Sequence, residues 1–372
     1  MPHDDLSRSK AAPPAPDLIA MLTDPRSLPK LAAIGVMVLI ILGSFAYIAG
    51  WLTPGLLTPR KFVDGLEEVN GTHPGFRRNH AKGLCISGFF ESNGQGARLS
   101  KATVFEEGRV PVIGRFSLSG GQPYAADGPA AVRGLGLRFQ PSSGQEWRTA
   151  MVNLPVFIVS TPQGFYDNLL ASKPDPATGK SDPEKMKAFL DAHLETVRAF
   201  SIIKQQPFSS GFADSTFNGL NAFYFVSADG ASTPVRWSMV PVDTFAPEGQ
   251  APADKNYLFD AFIERVRRGP VQWRLIVTVG QPGDPTNDAT QPWPDSRAHI
   301  DMGTLTIDSV QDEEHGRCRD VNFDPLVLPD GIAPSDDPLL SARSAVYSDS
   351  FRRREGENKE QSAVKVSGGS RS

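Results

Sequence analysis

Residues 31–52, LAAIGVMVLIILGSFAYIAGWL, carry no charged side chain. As a helix rising about 1.5 Å per residue the run is about 33 Å long, enough to cross a hydrocarbon core. A helix buried in a soluble domain needs only about 10–14 apolar residues, so this run divides the chain into two parts with different solvents. Tyr47 and Trp51 fall near one end, where amphipathic rings settle at a membrane–water interface. Arg26 and Lys30 stand close before the run, whereas Arg60 and Lys61 follow at a distance. That bias keeps the N-terminus in the cytoplasm and sends the rest of the chain across the membrane, which for a bacterial source is into the periplasm. The reading is an uncleaved single-pass anchor. A signal peptide is the alternative: its apolar region is shorter, about 7–15 residues, but Ser44, Phe45 and Ala46 offer a place to cut.

The remaining organisation follows from composition. Residues 1–30 are polar and include AAPPAP, as in a disordered leader. Residues 53–60, TPGLLTPR, read as a linker, residues 61–357 as one domain, and residues 358–372, rich in Gly, Ser and charge, as a disordered tail. The net charge of −4 creates no field that would attract nucleic acid, and none is expected as a partner. The 34 glycines and 32 prolines favour short strands and loops over a helical bundle. Strand-like runs occur at 109–118, 132–140, 150–160, 221–226, 235–242 and 271–280, rich in Val, Ile, Phe and Trp. Helical spacing marks 182–204 and 337–354, each opening on Asp-Pro, an N-cap followed by the residue favoured in a first turn. The predicted class is α+β, an antiparallel barrel or sheet with a few helices. Cys85 and Cys318 match no metal-binding spacing; two free, buried cysteines are preferred to a single bridge, which stays open as the alternative.

Several residues are equipped for chemistry. Arg343 and Tyr347 lie one helical turn apart on one face. A guanidinium beside a phenol favours the phenolate, a hard oxygen ligand that suits ferric iron. Arg354, two turns further, can reach an anionic group of the same ligand. The bland reading is an amphipathic helix with a packed tyrosine and a solvated arginine cluster. His80 follows Arg77 and Arg78 in FRRNHAKG; cationic neighbours keep an imidazole neutral and able to act as a general acid–base. The alternative is an ordinary loop histidine. In GRFS (114–117), Arg115 and Ser117 share a strand face, and Arg115 can pair with a carboxylate. In VNLPVF (152–157), Asn153 sits within an apolar run and must find a polar partner. It is either an orienting group for a small polar substrate or a strand-end amide bonded to loop backbone.

Taken in order, these pieces resemble the monofunctional haem catalases. The distal signature of that family, an arginine, two residues and His-Ala-Lys-Gly, corresponds to Arg77 and HAKG at 80–83. GRFS, VRGLGLRF (132–139), NLPVF (153–157) and GIAPSDDPLL (331–340) are similar to later elements, and Arg343, Tyr347 and Arg354 match the proximal helix. The resemblance spans about residues 60–357 and is closest in size to the small catalase-related peroxidases. It implies a catalase-like antiparallel β-barrel with surrounding helices and an iron protoporphyrin cofactor, heme b. Tyr347 would be the metal ligand and Arg343 its charge partner. Arg77, Arg115 and Arg354 would pair with the haem propionates. His80 would be the distal acid–base, hydrogen-bonded by Ser117. Asn153 would hold the peroxide, and Phe165 would lie against the porphyrin.

Two departures stand out: Asn79 replaces an apolar residue before the distal histidine, and VNLP stands where NNTP is usual. Both suggest a more polar or open distal pocket and a shift from dismutation toward peroxidase turnover with a small-molecule electron donor. The rival readings are a catalase-fold isomerase or lyase acting on fatty-acid hydroperoxides, and a non-catalytic haem-binding module at the membrane. A homo-oligomer is compatible with all three.

Overall fold

The computed structural model describes residue 25 and residues 27–48, 51–52, 55–128 and 131–366. Most of the expected leader, part of the expected linker and the last six residues of the expected tail lie outside these. The chain divides into two compact units, residues 1–58 and 59–372. The first contains helix α1, Leu28–Ile48, whose described side chains include none that is buried. At 21 residues it is long and apolar enough to cross a membrane, as an N-terminal signal sequence also is. It starts three residues before the charge-free run and ends four residues before the run does.

The second unit is built on strands β1 (Gly83–Ser92), β2 (Gly108–Leu118), β3 (Arg133–Phe139), β4 (Trp147–Val152), β5 (Phe217–Val226), β6 (Ser232–Pro241), β7 (Val271–Val279) and β8 (Ala298–Gln311). Neighbours pair antiparallel in the order β4-β3-β2-β1-β8-β7-β6-β5, and Val152 opposite Asn218 joins β4 to β5. The eight strands therefore close into a barrel, which removes both sheet edges. A short ninth strand, β9 (Ile332–Pro334), adds to β5. The period-two pattern is plain in β6, where Val235, Trp237 and Met239 are buried, and in β7, where Val271, Trp273, Leu275 and Val277 are. These side chains join Phe116, Phe139, Trp147 and Phe217 in one core.

Helices α2 (Pro59–Asn70), α3 (Pro162–Ala171), α4 (Pro183–Ala192), α5 (Leu194–Lys204), α6 (Tyr257–Arg267) and α7 (Pro338–Glu355) complete the unit. The single helix expected over 182–204 is two. His193 leaves the helical region at φ −123°, ψ 72°, and its Nδ1 lies 3.0 Å from Glu195 Oε1. The N-cap readings hold: Asp182 accepts from the N–H groups of Glu184 and Lys185, and Asp337 from that of Leu339. The run expected as a strand to residue 160 stops at Val152, where Asn153 and Pro155 lead into a loop.

Two expectations change. Residues 358–366 are not a loose tail, because Val364 is fully buried in the barrel core and Ser362 is buried with it. Cys85 and Cys318 are not free thiols but a disulfide, with Cα atoms 5.3 Å apart. The barrel brings β1 against the loop after β8, although 233 residues separate the two cysteines.

Candidate functional site

A cavity of about 440 Å³ lies beside the barrel, lined by side chains from α2, the 76–80 turn, β2, β3, β4, β5, α3, α5 and α7. Most of its lining is apolar. Eight of the nine predicted site residues border it: Arg77, His80, Arg115, Ser117, Phe165, Arg343, Tyr347 and Arg354. Asn153 does not, although Val152 and Leu154 on either side do. Its Oδ1 accepts the Arg133 N–H at 2.8 Å and its own N–H donates to Arg133 O at 3.0 Å. These bonds tie Asn153 to the first residue of β3 and close the end of the β3–β4 ladder.

His80 is held in an uncommon conformation. At φ +56° it is the one non-glycine residue with positive φ among the described residues. Asn79 Oδ1 accepts the His80 N–H at 3.0 Å and the Gly120 N–H at 2.8 Å, clamping the turn. Asn79 also borders the cavity, but its oxygen is committed to backbone. Arg115 donates to the carbonyls of His80 and Ala81 at 2.9 and 3.0 Å. The ring sits with Nδ1 3.1 Å from Ser117 Oγ. Burial, with the positive charges of Arg115, Arg343 and Arg77, pushes the imidazole pKa down to about 3. It is therefore neutral at physiological pH.

The rest of HAKG serves the same wall. Lys82 is buried and donates to Asp127 Oδ1 at 2.6 Å and to the carbonyls of Ala125 and Lys255. A Cβ on Gly83 would lie 2.2 Å from the Arg115 guanidinium carbon, so only glycine lets Arg115 cross β1. Arg115 then forms a two-point ion pair with Glu313, at 2.7 and 3.1 Å. Arg77 donates to Val321 O at 2.8 Å, to Cys318 O at 3.3 Å and to Glu313 Oε1 at 3.4 Å. Arg354, at the far end of α7, donates to Arg319 O at 2.7 Å. Burial and the neighbouring guanidinia hold Arg77 well below the usual arginine range and bring Arg354 down to about 10. Burial works against the Glu313 charge, but Arg115 and Arg77 outweigh it and keep its carboxyl below the usual range.

Helix α7 presents the other polar groups. Its N-cap Asp337 accepts from Asn221 Nδ2 at 2.7 Å, and Asn221 Oδ1 accepts from Arg343. Arg343 also donates to Ala150 O at 3.2 Å, and its guanidinium carbon lies 5.8 Å from the Tyr347 ring centroid. Near them three rings stack: Phe157 and Phe165 are 5.7 Å apart and 3° from parallel, and Phe62 lies 5.6 Å from Phe165.

Two contributors were not foreseen from sequence. Asn221 carried the same signal as Asn153, an amide within an apolar strand, and was legible on that ground. Glu313 sits in an acidic run that looks solvated, and no local pattern sets it apart.

A family model described as "Catalase" matches residues 47–368. A catalase-related peroxidase of Synechococcus elongatus is 40% identical over 303 residues, which are 80% of this chain and 89% of that protein. A catalase-related peroxidase of Mycolicibacterium paratuberculosis is 32% identical over 307 residues, 81% of this chain and 96% of that protein. Among solved structures, a fungal catalase superimposes with a TM-score of 0.69 at 20% identity, covering 84% of this chain and 67% of its own. Catalase A of Saccharomyces cerevisiae gives 0.68 at 19% identity, covering 81% and 65%. Barrel, site and sequence agree: the chain belongs to the catalase family.

Proposed function

We propose that the domain is a haem-dependent peroxidase. It reduces hydrogen peroxide or small organic peroxides with an external electron donor, with weak catalase turnover. The observation that carries this reading is the convergence of Arg77, Arg115 and Arg354 on a largely apolar cavity that also holds His80 and Tyr347. The three guanidinia repel one another, and the carboxylate paired directly with them, Glu313, bridges Arg115 and Arg77 but not Arg354, so an anionic ligand would balance the cluster. Two propionates supply that charge, the Phe157–Phe165 stack suits a flat macrocycle, and the Tyr347 oxygen suits ferric iron. The residues therefore fit iron protoporphyrin, heme b.

Bound haem supplies the redox chemistry of peroxide reduction. The protein supplies position and protons. Tyr347 would be the metal ligand, with Arg343 as the positive charge beside it, and Phe165 would pack on the porphyrin. His80, neutral and steadied by Ser117, accepts the proton of the bound peroxide and returns it to the departing oxygen. Asn153 is the residue of this set that the cavity supports least: with Oδ1 bonded to Arg133, only its Nδ2 is left to meet a peroxide.

The location follows from two features. The apolar α1 helix is read as a single membrane anchor with the N-terminus in the cytoplasm. The Cys85–Cys318 disulfide suits an oxidising compartment, which supports a periplasmic domain.

The test is an optical spectrum of the full chain in detergent, supplied with haem, before and after peroxide plus a dye reductant. A high-spin ferric spectrum that changes on peroxide and recovers as the dye oxidises is expected. Tyr347→Phe should lose haem or turnover; a variant that keeps both in full would overturn the ligand assignment.

A further inference from the structure

The arginines that face the cavity take most of their fixed partners from one irregular stretch, residues 312–323, between β8 and β9. Glu313 there pairs with Arg115 and Arg77. The carbonyls of Cys318 and Val321 accept from Arg77, and that of Arg319 accepts from Arg354. Phe323 lies under the Arg77 guanidinium, 5.8 Å from ring centroid to carbon. The stretch has no strand ladder or helix of its own, so side-chain contacts hold it: Cys318, Val321 and Phe323 are buried together against Ile113 and Ala150.

Its attachments are unevenly spread. The later half is bonded to the barrel, where Arg148 donates to Asn322 O at 2.6 Å. Glu314 and Arg319 bond instead to the C-terminal segment, at Ser362, Lys365 and Glu360. Beyond its backbone link to the end of β8, this stretch is cross-linked to the barrel by the Cys318 sulfur on Cys85 of β1. Cys85 is paired in the ladder with Arg115. The disulfide thus joins the strand beside one cavity arginine to the loop that supplies partners to all three.

We propose that the Cys85–Cys318 disulfide is a positioning device for carboxylate recognition: it pins residues 312–323 so that Arg77, Arg115 and Arg354 stay converged on the anionic groups of a porphyrin. Both cysteines are buried, so the bond is not displayed at the surface as a redox sensor would be. The inference rests on the haem reading above and adds that the propionate grip depends on a bond remote from iron.

The test compares two probes, ferric protoporphyrin and its dimethyl ester, which lacks the free carboxylates. Each is loaded into the full chain in detergent, and its release to an excess of a haem scavenger is timed. The intact protein should hold the free acid about tenfold longer than the ester. In the Cys85→Ala, Cys318→Ala double variant, free-acid release should accelerate toward the ester rate while ester release stays near its original value. A general loss of stability would speed both by the same factor, and that result overturns the proposal, as does an unchanged preference for the free acid. Should the variant fail to fold, the same comparison on intact protein whose disulfide is reduced in place, with alkylated thiols counted by mass, decides. Failure of the intact protein to take up either porphyrin would sink the haem reading itself. Uptake without any preference would sink the arginine assignment and this inference with it.

Discussion

Gly134 stands directly against His80: a Cβ there would lie 3.1 Å from His80 Cε1 and 2.8 Å from Ser117 Oγ. The missing side chain on β3 is what lets the imidazole meet the serine. Gly134→Ala should therefore displace the ring while leaving the cavity arginines and Tyr347 in place. Misplacing a catalytic group by about 1 Å costs about a hundredfold in rate. The expected result is retained haem absorbance with peroxide turnover down by about that factor, measured by stopped-flow. Unchanged turnover would remove His80 from the chemistry.

Glu313 is the carboxylate that pairs with both Arg115 and Arg77. Breaking a buried pair by removing one partner costs about 3–5 kcal/mol. Glu313→Gln should cost the apoprotein about that much, because Arg115 and Arg77 are left facing each other. Propionates would relieve part of the repulsion, so the holoprotein should lose less. Urea titrations of both forms check this; equal losses would mean that no anion settles beside these arginines.

The histidine predicts an acid sensitivity in the apoprotein. His80 titrates near 3 when folded and near its ordinary value of 6.5 when unfolded. Between those values the unfolded chain binds the extra proton, so stability falls as pH drops from about 6.5 toward 3. His80→Gln should flatten this part of the profile. Carboxylates such as Glu313, also depressed when folded, add their own losses below about 4.5, so the difference between wild type and variant between pH 6.5 and 4.5 is the quantity to measure. Identical slopes there would mean that His80 is not the enclosed neutral group described.

Asn153 and Asn221 should part company. Asn153→Ala removes a bond to the Arg133 N–H, worth about 1 kcal/mol, and should show as a lower melting temperature with turnover largely kept. Asn221→Leu takes the acceptor from Arg343 and the donor from Asp337, so it should alter the haem spectrum and its retention. The reverse pattern would restore Asn153 to peroxide binding and reduce Asn221 to packing.

Much of this protein was readable along the chain. Strand periods, Asp-Pro helix starts and the charge-free run are local consequences of side-chain type, and they placed six strand-like runs, the proximal helix and α1 within a few residues, apart from the overlong 150–160. Eight cavity residues were named before any contact was known, through the family resemblance that HAKG, GRFS and the Arg343–Tyr347–Arg354 spacing carry together; each motif alone is equally compatible with an ordinary loop, strand or helix. Asn153 failed to reach the cavity because an amide inside an apolar run signals only that a partner is needed, not whether that partner is a ligand or the next strand.

What the sequence determined by itself is therefore local: most of the strand runs, though not β1 or β8, which face of α7 carries the tyrosine, which run suits a membrane. Tertiary structure decided the rest. Only barrel closure sets β1 beside the loop after β8, turning Cys85 and Cys318 into a pair and Glu313 into the counter-ion of Arg115 and Arg77. Only core packing buries Val364, from a stretch whose composition reads as tail. The reason is physical: a disulfide or a buried ion pair needs two groups within a few ångströms, and no local pattern records which distant residue the folded chain will bring there.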